Sequence, residues 1–332
     1  MMSWPKLLVV PACSLALAAT ACGGARSGTV PVVPEENVAT SSASSTSTVT
    51  TTSSAGPASP TTAAKPTASA RPPEVAASQF DPERFTTPTR MTNPYFPMKP
   101  WTQWVWKGHA YDDGDRVTRK ITMTVTDLTK VVNGVRTVVG YDQDATAGET
   151  EEVELTFYAQ DDDGAVWYFG EYSEEYDGAK IVKSPTWLGG LREARPGIMM
   201  QPAPRTGTPG YEEGWGGSEV DWTDRGKVDK VGVKDCVPTG CYQDVVVIDE
   251  YNPDEPGTHQ LKSYAPGIGG IRTGWRGAKE VEQEELELVS RRRLSPDQQD
   301  DVRSAVLAEE KRAYQRSPQV YGRTAPMTAR SS

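Results

Sequence analysis

Alternation of apolar and polar residues is clearest between Arg116 and Val125. Val117, Ile121, Met123 and Val125 fall on one side of an extended chain there, with Arg116, Thr118, Lys120, Thr122 and Thr124 on the other. A period of two marks a β-strand with one covered and one wet face. Val153, Leu155, Phe157 and Ala159 alternate in the same way with Glu152, Glu154, Thr156, Tyr158 and Gln160. Both apolar rows are predicted to share the core side of a sheet, and the polar rows its solvent side. Asp113-Gly114, Asn133-Gly134, Asp163-Gly164 and Asp177-Gly178 punctuate these runs. Such pairs suit tight hairpin turns, in which both residues need φ > 0. Thr102 to Lys183 therefore reads as an antiparallel meander. The long run between Gly114 and Asn133 favours a strongly twisted or curved sheet.

From Pro185 to Trp222 the chain is rich in Gly and Pro with scattered Trp, which predicts an ordered loop region. Strands resume at Lys227–Lys234, Tyr242–Tyr251, His259–Tyr264 and Ile268–Thr273, with a last one at Leu286–Val289. Val245-Val246-Val247-Ile248 is apolar on both faces and predicts a central, covered strand. Ser295-Pro296-Asp297-Gln298 combines an N-cap Ser, a Pro at the first helical position and a Gln three residues on. Only Val302, Ala305 and Val306 follow as an apolar stripe, so this helix is predicted to pack loosely or stay partly exposed. The fold class is mainly β: a curved antiparallel sheet (meander, half-barrel or sandwich-like) with one short C-terminal helix. Residues 79–290 form the β-rich domain, 291–315 a helical extension and 316–332 a disordered tail.

The first 24 residues have a different character. Lys6 precedes an apolar run from Leu7 to Leu17, broken by Pro11 and Ser14, and small residues follow. This pattern predicts a signal peptide over 1–21, too short to span about 30 Å of hydrocarbon permanently. Leu17-Ala18-Ala19-Thr20-Ala21-Cys22-Gly23-Gly24 resembles the bacterial lipobox, with Ala19 at −3 where the box prefers Leu. The resemblance implies that the Cys22 thiol receives a diacylglyceryl group and becomes the mature N-terminus. The alternative is an ordinary signal cleaved near Ala21, with Cys22 incidental. Residues 22–78 are dominated by Ser, Thr, Ala, Pro and Gly, too poor in apolar groups to offset the entropy of ordering. They predict a lipidated N-terminus on a flexible stalk with a reach of roughly 40 Å for about 50 residues.

Net charge is −10, which argues against non-specific nucleic-acid binding. Of four cysteines, Cys13 leaves with the signal and Cys22 takes the lipid. Cys236 and Cys241 remain, joined by Val237-Pro238-Thr239-Gly240, a turn sequence that predicts a disulfide outside the cytosol. No metal or cofactor site is implied. The two histidines, His109 and His259, stand as a surface imidazole and a strand-start residue. Asp161-Asp162-Asp163-Gly164 reads as a hairpin turn rather than a calcium loop, and Glu151-Glu152 and Glu174-Glu175 as solvated strand positions. Trp101, Trp104, Trp106, Trp167, Trp187, Trp215, Trp222 and Trp275 are mostly core candidates.

Asn93-Pro94-Tyr95-Phe96-Pro97-Met98-Lys99-Pro100, Tyr158-Ala159-Gln160-Asp161, Val166-Trp167-Tyr168-Phe169-Gly170-Glu171, Arg195-Pro196-Gly197-Ile198-Met199 and Tyr264-Ala265-Pro266-Gly267-Ile268-Gly269 occur in this order. They resemble a family of actinobacterial secreted proteins and lipoproteins without an established activity. The resemblance implies β-rich architecture and an envelope location, and supplies no catalytic residues. The functional expectation is a lipid-anchored extracytoplasmic protein that binds an envelope component or apolar ligand on the concave face of its sheet, without catalysis. The alternative is an envelope glycan-binding or glycan-cleaving protein using Trp platforms and carboxylates. Cys22→Ser is expected to move the protein from the membrane fraction to the medium. Retention of that variant in membranes on fractionation would refute the anchor.

Overall fold

The computed structural model describes residues 76–330, except Asp221. The signal peptide and Cys22 lie outside the described residues. In chain order the strands are β1 (Thr102–Asp112), β2 (Asp115–Val132), β3 (Val135–Thr146), β4 (Glu149–Gln160), β5 (Val166–Asp177), β6 (Lys180–Lys183), β7 (Thr186–Leu188) and β8 (Arg195–Met200). There follow β9 (Tyr211–Glu212), β10 (Gly214–Trp215), β11 (Arg225–Val237), β12 (Gly240–Tyr251), β13 (His259–Ala265), β14 (Gly269–Arg276) and β15 (Glu285–Arg293). Helix α1 (Pro296–Arg316) and β16 (Thr328–Ala329) complete the chain. The predicted hairpin at Asn133-Gly134 forms with both residues at positive φ, 48° and 80°. A turn of the same kind joins β3 to β4 at Ala147-Gly148, without the Asn or Asp that usually signals it.

Neighbouring strands are antiparallel in the order β10-β8-β5-β4-β3-β2-β1-β15-β14-β13-β12-β11-β9. The two ends of this series are adjacent in sequence. Gly214 pairs with Pro196 of β8, and Tyr211 and Glu212 pair with Gly226 and Arg225 of β11. Five residues from the predicted loop region thus bring a curved mainly-β sheet to near closure.

Closure gives the sheet an inside, and the register decides what lies there. Met123 stands opposite Asp142, Asp142 opposite Glu154, and Glu154 opposite Ser173. The polar row of β4 therefore shares the inner face with Met123. Val125, Tyr158, Tyr168, Trp187, Trp222, Val246, Tyr264 and Leu288 join Met123 in the inner core. Val153, Leu155, Phe157 and Ala159 belong to a second, outer core with Phe85, Trp167, Phe169, Val306 and Tyr321. The two apolar rows thus point to opposite faces, and the polar rows are wet only in part: Arg116, Thr118 and Lys120 are exposed, whereas the rest of the β2 row and the β4 row are buried. Thr124, Thr156 and Glu154 are each no more than 2% exposed. The cause is that the central stretches of β2 to β5 are covered on both sides.

Helix α1 supplies the outer cover. Its predicted capping box forms, with the Ser295 hydroxyl accepting from the Gln298 N–H and the Gln298 amide accepting from the Ser295 N–H. The helix runs for 21 residues and is partly exposed, as expected, with Leu307 facing outward, while Val306, Glu309, Glu310 and Ala313 are buried against the sheet. Residues 317–330, expected to be a disordered tail, are packed against the domain. Tyr321 is fully buried, Met327 is nearly so, and Thr328 pairs with Thr129 of β2. Lys130 ties these pieces together. Its side chain is 0% exposed, and Nζ donates to Glu310 Oε1 (3.1 Å) and to the Ala325 carbonyl (2.9 Å) while lying 4.0 Å from the Tyr321 ring centre. Burial lowers its pKa to about 8 against the opposing charge of Glu310.

The inner face carries Asp142, Asp144, Glu152, Glu154, Glu171, Glu213, Glu250 and Glu284, all buried, against the cations Arg119 and Lys262. Both oxygens of Asp144, Oε1 of Glu154 and Oε2 of Glu284 have no hydrogen-bond partner among the described residues. Removal from water disfavours the charged form. Burial pushes Asp144, Glu152, Glu154 and Glu213 well above the usual carboxylate range. It raises Glu171 to about 7 against a hydrogen bond from the Tyr168 hydroxyl, and Glu284 to about 7 against the charge of Arg119.

Two outcomes follow. Glu310→Ala leaves the Lys130 ammonium buried without its carboxylate and should cost about 3–5 kcal/mol in chemical denaturation. Lys130→Met combined with Glu310→Leu should recover most of that loss. The second outcome concerns pH. A carboxyl whose pKa is raised on folding stabilises fully below its unfolded value and loses that contribution as pH rises through the folded value. With Glu171 and Glu284 moving from 4.5 to about 7, the window is pH 5 to 8, and each group weighs on the order of 3 kcal/mol at its upper end. Tm should therefore fall by about 5 °C or more between pH 5.5 and pH 8. Glu171→Gln with Glu284→Gln should flatten that profile, and a Tm that instead rises across the window would contradict the assignment.

Candidate functional site

The sequence-predicted carboxylates are engaged in the fold. Asp161 accepts from the Asp163 and Ala165 N–H groups and from Trp167 Nε1 (3.0 Å), so the Asp-rich segment is a self-bonded turn. Glu152 and Glu174 are buried rather than solvated, 5% and 0% exposed. Glu174 receives Arg312 Nε at 2.8 Å and Nη2 at 2.7 Å, clamping α1 to β5. Among the described residues no group of three or more His, Cys, Asp or Glu is placed to hold a metal ion. His109 is partly buried, its Nε2 3.6 Å from Glu285, and His259 begins β13 with Nδ1 2.8 Å from Asp249.

Most of the tryptophans are not available as a platform; Trp275 of β14 is partly exposed and lines an outer groove. Trp101, Trp104, Trp167, Trp187 and Trp222 are buried in the core. Trp106 donates to the Gly270 carbonyl, and Trp215 lies under the Arg195 guanidinium at 4.3 Å. Nor is the concave face an open trough. Side chains fill it, leaving a void of about 40 Å³ beside Trp106, Met123, Lys262 and Glu284. That volume suits one or two waters and no larger ligand.

A larger concavity lies outside the barrel. Strand β11 leaves register with β12 at three places between Val228 and Asp235, and bulges of this kind bend a strand and increase its twist. The β11–β12 hairpin thereby leans over the outer face of β13, β14, β15 and β1. Cys236 and Cys241 stand directly opposite each other near its tip and are disulfide-bonded. Arg272 of β14 fastens it, donating through Nε and Nη2 to Asp235 (3.1 Å each) and through Nη2 to the Cys236 carbonyl (2.7 Å). Arg272 Nη1 also reaches Glu287 at 2.7 Å.

Between hairpin and sheet runs a groove of about 700 Å³, within the range of small-molecule sites. Val233, Val247 and Leu261 form its apolar part, and Lys107, Lys230 and Lys234 bring positive charge to it. Sequence reasoning found the disulfide but none of these groove residues. They come from β1, β11, β12 and β13, and only the fold-back of the hairpin collects them.

No family model matches the chain, and no curated protein matches it. Two solved structures are similar to it. One is a candidate exported protein with a YmcC-like fold from Bacteroides fragilis, at 14% identity over 60% of this chain and 98% of that one, with a TM-score of 0.33. The other is a candidate lipoprotein from Parabacteroides distasonis, at 12% identity over 60% of this chain and 99% of that one, also with a TM-score of 0.33. At this level of similarity neither carries an argument about the present chain.

Proposed function

We propose that the protein is an extracytoplasmic, lipid-anchored binding protein that holds an envelope component in the groove between the β11–β12 hairpin and the sheet, without transforming it. The groove itself carries this reading: it offers about 700 Å³ between the sheet and a hairpin whose tip is cross-linked by a disulfide and fastened by Arg272. The signal-like N-terminus with Cys22 supports export and anchoring. The Cys236–Cys241 disulfide supports the same compartment, because such bonds persist in oxidising surroundings. Asp235 and Glu287 both lie against the Arg272 guanidinium. As neutralised structural acceptors they favour binding over acid–base chemistry.

Leu261 is a partly exposed residue on the groove floor, where a larger side chain fills space without disturbing the inner core. Protein purified from its own envelope is expected to carry a bound component in native mass spectrometry. Leu261→Trp should lose that component while its Tm stays within about 2 °C of wild type. An occupied Leu261→Trp variant, or wild type that retains nothing, would defeat the groove assignment.

A further inference from the structure

Resting on the reading of the groove as a binding site, we infer that its ligand presents a phosphate group, held by the ammonium groups of Lys107 and Lys234. The argument begins with where the carboxylates go. Glu287 is the cross-strand partner of Lys107 on β15 and the obvious candidate to neutralise it. Its carboxylate instead lies 2.7 Å from Arg272 Nη1. Asp235, adjacent in sequence to Lys234, is taken by the same guanidinium. Arg272 is thus saturated by two carboxylates and a carbonyl. Lys107 and Lys234, both exposed, form no ion pair among the described residues.

A third cation is set against the first. Lys120 of β2 stands directly opposite Lys107 in the β1–β2 pair, and it too is exposed without an ion pair among the described residues. Like charges directly opposite one another on neighbouring strands destabilise a sheet. A ligand anion on Lys107 relieves that repulsion. Lys230, 3.8 Å from the neighbouring Asp229, adds a weaker contribution from the opposite wall.

The kind of donor indicates the kind of anion. Planar carboxylate recognition uses the bidentate fork of an arginine, and the only arginine lining the groove is already occupied. The remaining donors are compact point charges on flexible stems, which suit the several oxygens and higher charge of a phosphate. One groove carboxylate, Glu285, is not held by Arg272 and lies 3.6 Å from His109 Nε2; the three groove lysines outnumber it, while the protein as a whole carries a net charge of −10 and repels a polyanion elsewhere.

The test titrates the exported protein with glycerol 3-phosphate and with phosphatidylglycerol vesicles in a phosphatidylcholine background, following 31P signals and heat. Binding of soluble glycerol phosphate would identify a free or polymer-borne phosphate. Binding to vesicles alone would identify a lipid headgroup. Either supports the inference if Lys107→Gln with Lys234→Gln weakens it by about tenfold or more and a control pair outside the groove, Lys180→Gln with Lys227→Gln, does not. Equal loss in both pairs would overturn it as a mere net-charge effect, and so would absence of binding to either probe. An envelope component retained by wild type, lost by Leu261→Trp and lacking phosphorus would overturn the phosphate inference alone and leave the binding site standing. Loss of no component in Leu261→Trp would remove the underlying reading as well.

Discussion

Near-closure of the sheet by Tyr211–Trp215 is the constraint on which the other features depend. An open curved sheet would present its concave face to water, and the alternating rows of β2 and β4 would sort into wet and dry sides. With Gly214 paired to β8 and Tyr211 to β11, that face becomes an interior. Every residue on it must then be apolar, hydrogen-bonded or neutral. Glycine is required where the strip meets its neighbours: a Cβ on Gly197 would lie 2.2 Å from the Gly214 nitrogen.

Closure also accounts for the two cores. Because β3 and β4 carry one large apolar row and one carboxyl-bearing row, a slip of one residue would exchange them. Leu155 and Phe157 would enter the barrel, and Glu154 would meet the underside of α1. The register is thereby specified on both faces at once. The inner carboxyls carry an energetic penalty when ionised, yet they make the alternative pairing worse still. Arg119 and Lys262 limit that penalty: Arg119 faces Glu151 and Glu284, and Lys262 contacts Glu250.

Much of this architecture is legible in the chain. Asn133-Gly134, the apolar block Val245–Ile248 and the Ser295 capping box each act locally, through turn sterics, two-sided burial or side-chain capping, and each forms as predicted. What escapes sequence reasoning is non-local. Glu154 reads as solvated because the alternate positions that share its face, Glu152 and Thr156, are polar; its burial comes from strands on the far side of the barrel. Two-residue strands such as β9 and β10 have no periodicity to detect. The thin stripe of α1 looks too weak to dock, because the Lys130–Glu310 pair that helps seat it joins positions 180 residues apart. The tail beyond Arg316 reads as disordered for the same reason, since Tyr321 and Met327 are isolated apolar residues whose burial depends largely on distant strands.

The outer surface divides according to what covers it. Over β2 to β5 the apolar row is large and continuous, and α1 with the C-terminal segment buries it. Over β13, β14, β15 and β1 the outward residues are Ser263, Arg272, Glu287 and Lys107, too polar to draw a helix down. A hairpin can lie across such a surface only where specific charge pairs hold it, and Arg272 provides them at Asp235 and the Cys236 carbonyl. A contact made at one end of a bent hairpin leaves space beneath the rest. The groove is therefore a consequence of how the hairpin is fastened: the arginine that secures its tip also draws the carboxylates away from Lys107 and Lys234, leaving positive charge along an otherwise acidic protein.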